Sequence, residues 1–79
     1  MMPAQSRAAR ALIGMTQPAL AEAAGIGLST VVDFEKGRRV VAQPSVDAMR
    51  AALEAAGVVF LPENGNGPGV ALKNGQATF

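Results

Sequence analysis

The sequence predicts a mainly α domain of four to five helices, closed by a short C-terminal β-hairpin or strand, and three observations carry that prediction. Apolar residues recur at helical spacing from Ala4 to Ala56. Gly14, Gly25, Gly37 and Gly57 fall where those periodic segments stop, as glycines at helix ends do. Beyond Gly57 the periodicity gives way to two short apolar runs separated by turn residues. The organisation expected is a helical domain over 1–57, a short β segment over 58–73 and a flexible tail over 74–79.

Helix one runs from Ala4 to Met15, with Ala8, Leu12 and Met15 on its inner face, Ile13 beside them and Gly14 marking its end. Thr16 supplies the side-chain oxygen of an N-cap, and Pro18 is tolerated in a first turn whose N–H groups have no helical partner. Helix two is therefore short, with Leu20, Ala21 and Ala24 as its apolar stripe and Gly25 at its end. Gly25-Ile26-Gly27 makes a tight link in which Gly25 takes a positive φ and Ile26 plugs the core. A third helix starts near Leu28 or Ser29, turns Val31 and Phe34 inward and stops around Lys36-Gly37. The connector Arg38 to Pro44 leads to Ser45, the expected cap of a fourth helix lined by Val46, Met49, Leu53 and Ala56 and closed by Gly57. On its outer face Arg50 lies between Asp47 and Glu54, at spacings that give ordinary surface ion pairs. Val58-Val59-Phe60-Leu61 and Val70-Ala71-Leu72 then read as β runs, with turn chemistry from Pro62 to Gly69.

A chain of 79 residues makes one domain with little interior. Cysteine and histidine are both absent, which removes disulfides, thiolate nucleophiles, imidazole bases and the commonest zinc sites. No enzyme, cofactor or metal site is expected. No apolar run approaches the ~20 residues of a membrane span, so a cytoplasmic protein without membrane association is the reading. The net charge of +1 is a weak nucleic-acid signal as a total, but Lys36, Arg38 and Arg39 are clustered, and Arg7 and Arg10 share one helical face. The glycines at 65, 67 and 69 lack the following helix that a phosphate-cradling loop needs, and they read as a turn.

Helices two and three, Thr16 to Ala24 and Leu28 to Glu35, have the spacing that lets the second stand proud and enter a DNA major groove. Thr16-Gln17, Leu20-Ala21, Ala24-Gly25-Ile26, Ser29-Thr30-Val31 and Phe34-Glu35-Lys36-Gly37-Arg38-Arg39 together resemble the XRE family of phage-repressor and Cro-like regulators, over roughly Gln5 to Ala56. The resemblance implies a phage-repressor-like helix-turn-helix domain that binds double-stranded promoter or operator DNA as a homodimer in the bacterial nucleoid and represses or activates transcription. It also implies a phosphate contact for Gln17, in the first turn of helix two. The tail, Phe60-Leu61-Pro62-Glu63-Asn64-Gly65 with Gly67-Pro68-Gly69-Val70, is similar to the ending of short XRE-type regulators of rhizobia and related bacteria.

The outward residues of the recognition helix are Leu28, Ser29, Val32, Asp33 and Lys36. Where the family often carries Arg, Lys, Gln, Ser or Asn on this face, the chain has Leu28, Val32 and Asp33, so its readout is expected to differ. Leu28 and Val32 suit thymine methyl groups, Ser29 and Thr30 suit a base or phosphate, and Asp33 suits a cytosine amino group. An unpaired Asp33 would repel phosphate, so Arg38 or Arg39 is expected to hold it. Lys36, Arg38 and Arg39 follow the recognition helix where the chain tracks the sugar-phosphate backbone, with Arg7 and Arg10 as weaker candidates. Val58, Val59, Phe60 and Leu61 would be costly to expose and offer a free strand edge to a second copy, so they are the expected dimerisation element. A competing expectation is a protein-binding antiactivator or antitoxin-like module that keeps the fold and grips its partner through Leu28 and Val32.

Overall fold

The computed structural model describes residues 1–63, 65 and 67–73, so the tail expected over 74–79 lies outside the described residues. Its elements are α1 (Pro3–Ile13), α2 (Gln17–Ala24), α3 (Leu28–Lys36), α4 (Gln43–Ala55), β1 (Val58–Leu61) and β2 (Gly69–Leu72). Each helix stops where the chain supplies partners for its free backbone groups. Thr16 Oγ1 accepts from the Ala19 N–H at 3.2 Å and caps α2. Gly25 and Gly37 take φ of 69° and 67°, a left-handed turn that lets the Ile26 and Arg38 N–H groups reach the carbonyls of Ala21 and Asp33, each at 3.0 Å.

The fourth helix departs from its expected start. Ala42 occupies the N-cap position with no side-chain bond, and Ser45 lies inside the first turn after Gln43 and Pro44. Pro44 accounts for this, since its fixed φ suits a first turn and its missing N–H costs nothing there, so the helix begins ahead of it. Asp47 pairs with Gln43 Nε2 at 2.8 Å instead of with Arg50. Arg50 reaches Glu54 at 3.4 Å and lies over the Phe60 ring, 4.9 Å from its centroid.

One core joins all four helices to the hairpin. Leu20, Val31, Met49 and Leu53 are fully buried at its centre, with Ala21, Phe34 and Val46 around them. The inner face of α1 is Ser6, Ala9 and Ile13, whereas Ala8 and Leu12, expected inside, are exposed; Met15 packs only partly against the core. Alanines on every side of α1 leave its apolar stripe undefined, and the polar partners of Ser6 and Arg10 on α3 decide its rotation. β1 and β2 pair antiparallel, with Val58 opposite Leu72 and Leu61 opposite Gly69. Val58, 3% exposed, is a core residue, Phe60 is half-buried against the core, and Val59 and Leu61 point outward. The expected dimerisation run is therefore split by the strand's period of two, because the neighbouring helices need Val58 and Phe60. Gln5 ties the hairpin to α1: its Oε1 accepts from the Met2 N–H at 2.8 Å and its Nε2 donates to the Gly69 carbonyl at 3.2 Å.

Candidate nucleic-acid interface

The Gly25 turn delivers the chain from α2 into α3 so that Val31, Phe34 and Glu35 face inward. The opposite face carries the expected readout residues. Leu28 and Ser29 are exposed, and Thr30, Val32 and Asp33 are half-exposed. Lys36, Arg38 and Arg39 are all exposed where the chain leaves the helix, beside Val40, which is 96% exposed. The left-handed Gly37 turns the backbone so that these cations flank the C-terminal end of α3.

Asp33 is not left unpaired. Arg39 Nε donates to its Oδ2 at 3.0 Å, whereas Arg38 Nη1 stays 4.0 Å from Oδ1. Arg39 Nη2 also donates to Thr30 Oγ1 at 3.4 Å, so its side chain lies back over α3. The negative charge that would repel a phosphate is thereby matched, and Thr30 is already engaged.

Behind this face lies a polar centre that the motif reading passed over. Glu35 is 1% exposed, and its two carboxylate oxygens accept from three side chains, two on α1 and one on α2. Oε1 takes Arg10 Nη2 at 2.7 Å and Gln17 Nε2 at 3.0 Å. Oε2 takes Ser6 Oγ at 2.5 Å and Arg10 Nε at 2.8 Å. Arg10 Nη1 donates to the Met15 carbonyl at 3.1 Å, and an Arg7 guanidinium N–H donates to the Glu35 carbonyl. Among the described residues no buried side-chain nitrogen or oxygen lacks a partner. Burial by itself would raise the Glu35 pKa, but the hydrogen bonds from Arg10, Ser6 and Gln17 and the Arg10 charge outweigh it and hold the carboxyl below its ordinary value. The same bond from Glu35 raises the Arg10 pKa against its own burial.

This network fixes α1, α2 and the inner side of α3 to one another, so the outer face of α3 is presented at a set angle. It also engages Gln17, one of whose two amide N–H groups donates to Glu35. Arg10 likewise turns each of its three guanidinium nitrogens to a partner inside the protein. One signal for Glu35 was legible: it falls four residues after Val31, on the inward face of a helix. Ser6 and Arg10, four apart on α1, face it for the same reason.

The charged residues offer no metal centre, since among the described residues no cluster of three Asp, Glu, His or Cys side chains could hold an ion. Nor is any helix among them long and apolar enough to cross a membrane. A family model described as Helix-turn-helix matches residues 7–58, more than half of the 79-residue chain. None of the curated proteins matches it.

Proposed function

The chain belongs to the XRE-type family of DNA-binding helix-turn-helix regulators, and from that premise we propose that it regulates transcription by occupying operator DNA as a homodimer, with the outward face of α3 in the major groove. The observation that carries this reading is the arrangement of α3. Its N-terminal turn exposes Leu28 and Ser29, and Lys36 in its last turn and Arg38 and Arg39 just beyond it stand exposed. In this reading Leu28 and Val32 pack on thymine methyl groups, Ser29 bonds to a base edge or phosphate, and Lys36 and Arg38 neutralise phosphates. Gln17 contributes through its backbone N–H at the start of α2, its side chain being held by Glu35.

The dimer in this proposal uses Val59 and Leu61 and the free edge of β1. Size supports it: the protomer extends 30 Å along its two longer axes, and half-sites one helical turn apart are spaced by about 34 Å.

Selection of duplexes from a random pool, followed by fluorescence anisotropy over a salt series, tests the reading. The expected product is an inverted repeat, bound with an affinity that falls steeply with salt. The Lys36→Ala and Arg38→Ala variants are each expected to flatten the logarithmic salt dependence by about one. A pool that enriches no motif overturns the proposal.

A second reading, a protein-binding module, draws on the exposure of apolar Leu28 and Val40, Leu28 being 45% exposed. It predicts a partner captured with little dependence on salt. The pairing of Asp33 with Arg39 weakens it, since the negative charge that argued against DNA is matched within the protein.

A further inference from the structure

We propose that Arg39 reads a guanine in the operator half-site, with Asp33 and Thr30 holding its guanidinium for that contact; this rests on the DNA-binding reading above. A guanidinium has two hydrogen-bonding edges, one made by Nε and Nη2 and one by Nη1 and Nη2. In Arg39 the first edge is occupied, Nε by Asp33 Oδ2 at 3.0 Å and Nη2 by Thr30 Oγ1 at 3.4 Å. Nη1 makes no hydrogen bond to any described residue, and the side chain is 48% exposed. The second edge is therefore open, and it presents two parallel N–H groups.

Position matters as much as chemistry. Thr30 and Asp33 lie three apart on the outward side of α3, and Thr30 is the third residue of the helix. Arg39 starts in the segment after Gly37, yet its guanidinium lies back across the part of α3 that meets base edges in this docking geometry. A phosphate contact from the flanking loop would need no such fold-back. The open edge matches the O6 and N7 acceptors of guanine, the commonest specific contact in the major groove. Holding the fork in advance also spares the loss of side-chain freedom on binding that a free arginine would suffer. The adjacent Arg38 differs: it is 4.0 Å from Asp33 and is left to the phosphates.

The test compares the full-length chain with Arg39→Lys, Asp33→Asn and Arg38→Lys in selection from a random duplex pool. Affinities for matched and single-base-changed duplexes are then measured. Arg39→Lys keeps the charge but loses the fork, so it is expected to keep the salt dependence while losing about ten-fold in preference for guanine at one position of each half-site. Asp33→Asn removes a negative charge, so it is expected to bind scrambled DNA at least as tightly while losing the same preference. A folding defect does not produce that combination. Arg38→Lys is expected to keep the guanine. Replacing that guanine with 7-deazaguanine is expected to weaken the native chain and leave Arg39→Lys unchanged. Selection of the same motif with undiminished guanine preference by Arg39→Lys and Asp33→Asn overturns the assignment alone, as does a native motif without guanine. A native chain that enriches nothing overturns the DNA-binding reading and the assignment with it.

Discussion

Glu35 shows how a single buried charge is held at the level of the residue. Four hydrogen bonds reach its carboxylate, two of them from the Arg10 guanidinium, so both ions are satisfied away from water. Removing one partner strands the other. Glu35→Gln is expected to lose about 3 kcal/mol of stability, read from urea unfolding. Its pH dependence has a defined sign. Because the folded pKa lies below the ordinary value of 4.5, the carboxylate stabilises the protein fully above that pH and loses its effect as pH falls through the lower folded value. The stability gap between the native chain and Glu35→Gln is therefore expected to narrow on acidification below 4.5; a gap constant with pH would contradict this. Gln17→Ala removes one weaker bond to the same carboxylate, and a loss of about 1 kcal/mol is expected.

At the scale of elements, helix ends and strand faces matter most. A side chain at Gly37 would meet nothing within 4 Å, yet the residue sits at φ +67°. Gly37→Ala is accordingly expected to cost about 1 kcal/mol through backbone strain alone, visible as a lowered thermal midpoint, with Gly37→Asn recovering part of it. The same change moves the segment that carries Arg38 and Arg39, so DNA affinity is expected to fall alongside. In β1 the alternation of faces separates neighbouring valines. Val58→Ala opens a cavity in the core and is expected to cost about 2 kcal/mol, whereas Val59→Ala stays within about 0.5 kcal/mol. Equal effects at the two positions would show that the strand register is wrong.

For the whole molecule, the near-neutral total of +1 conceals an uneven distribution. Arg10 and Glu35 cancel in the interior, and Arg39 is paired with Asp33, while Lys36 and Arg38 stand exposed beside α3. A basic end on an otherwise balanced protomer suits DNA binding better than the net figure suggests. Sedimentation at micromolar concentration is expected to find a dimer. Leu61→Asp, on the outward side of β1, is expected to shift it to monomer and to weaken operator binding by at least about ten-fold through lost bivalency. A native chain that sediments as a monomer counts against the dimer, though not against the fold.

The local structure was legible in the residues because its causes are local. Thr16, Gly25 and Gly37 set the limits of α2 and α3 through caps and a left-handed turn, and Val31 and Phe34 turned inward because a helix has one period. The motif resemblance likewise depended on contiguous residues, and the match over residues 7–58 agrees with it. Where the sequence was ambiguous, packing decided. Alanine-rich α1 has no unique apolar stripe, so its rotation followed Ser6 and Arg10 toward Glu35, and the unbroken apolar run of β1 could be split into inner and outer residues only against α1 and α4. Pairings across the fold, Glu35 with α1 and Arg39 with Asp33 and Thr30, depend on where separate elements meet in space, and a single sequence read one window at a time does not contain that distance.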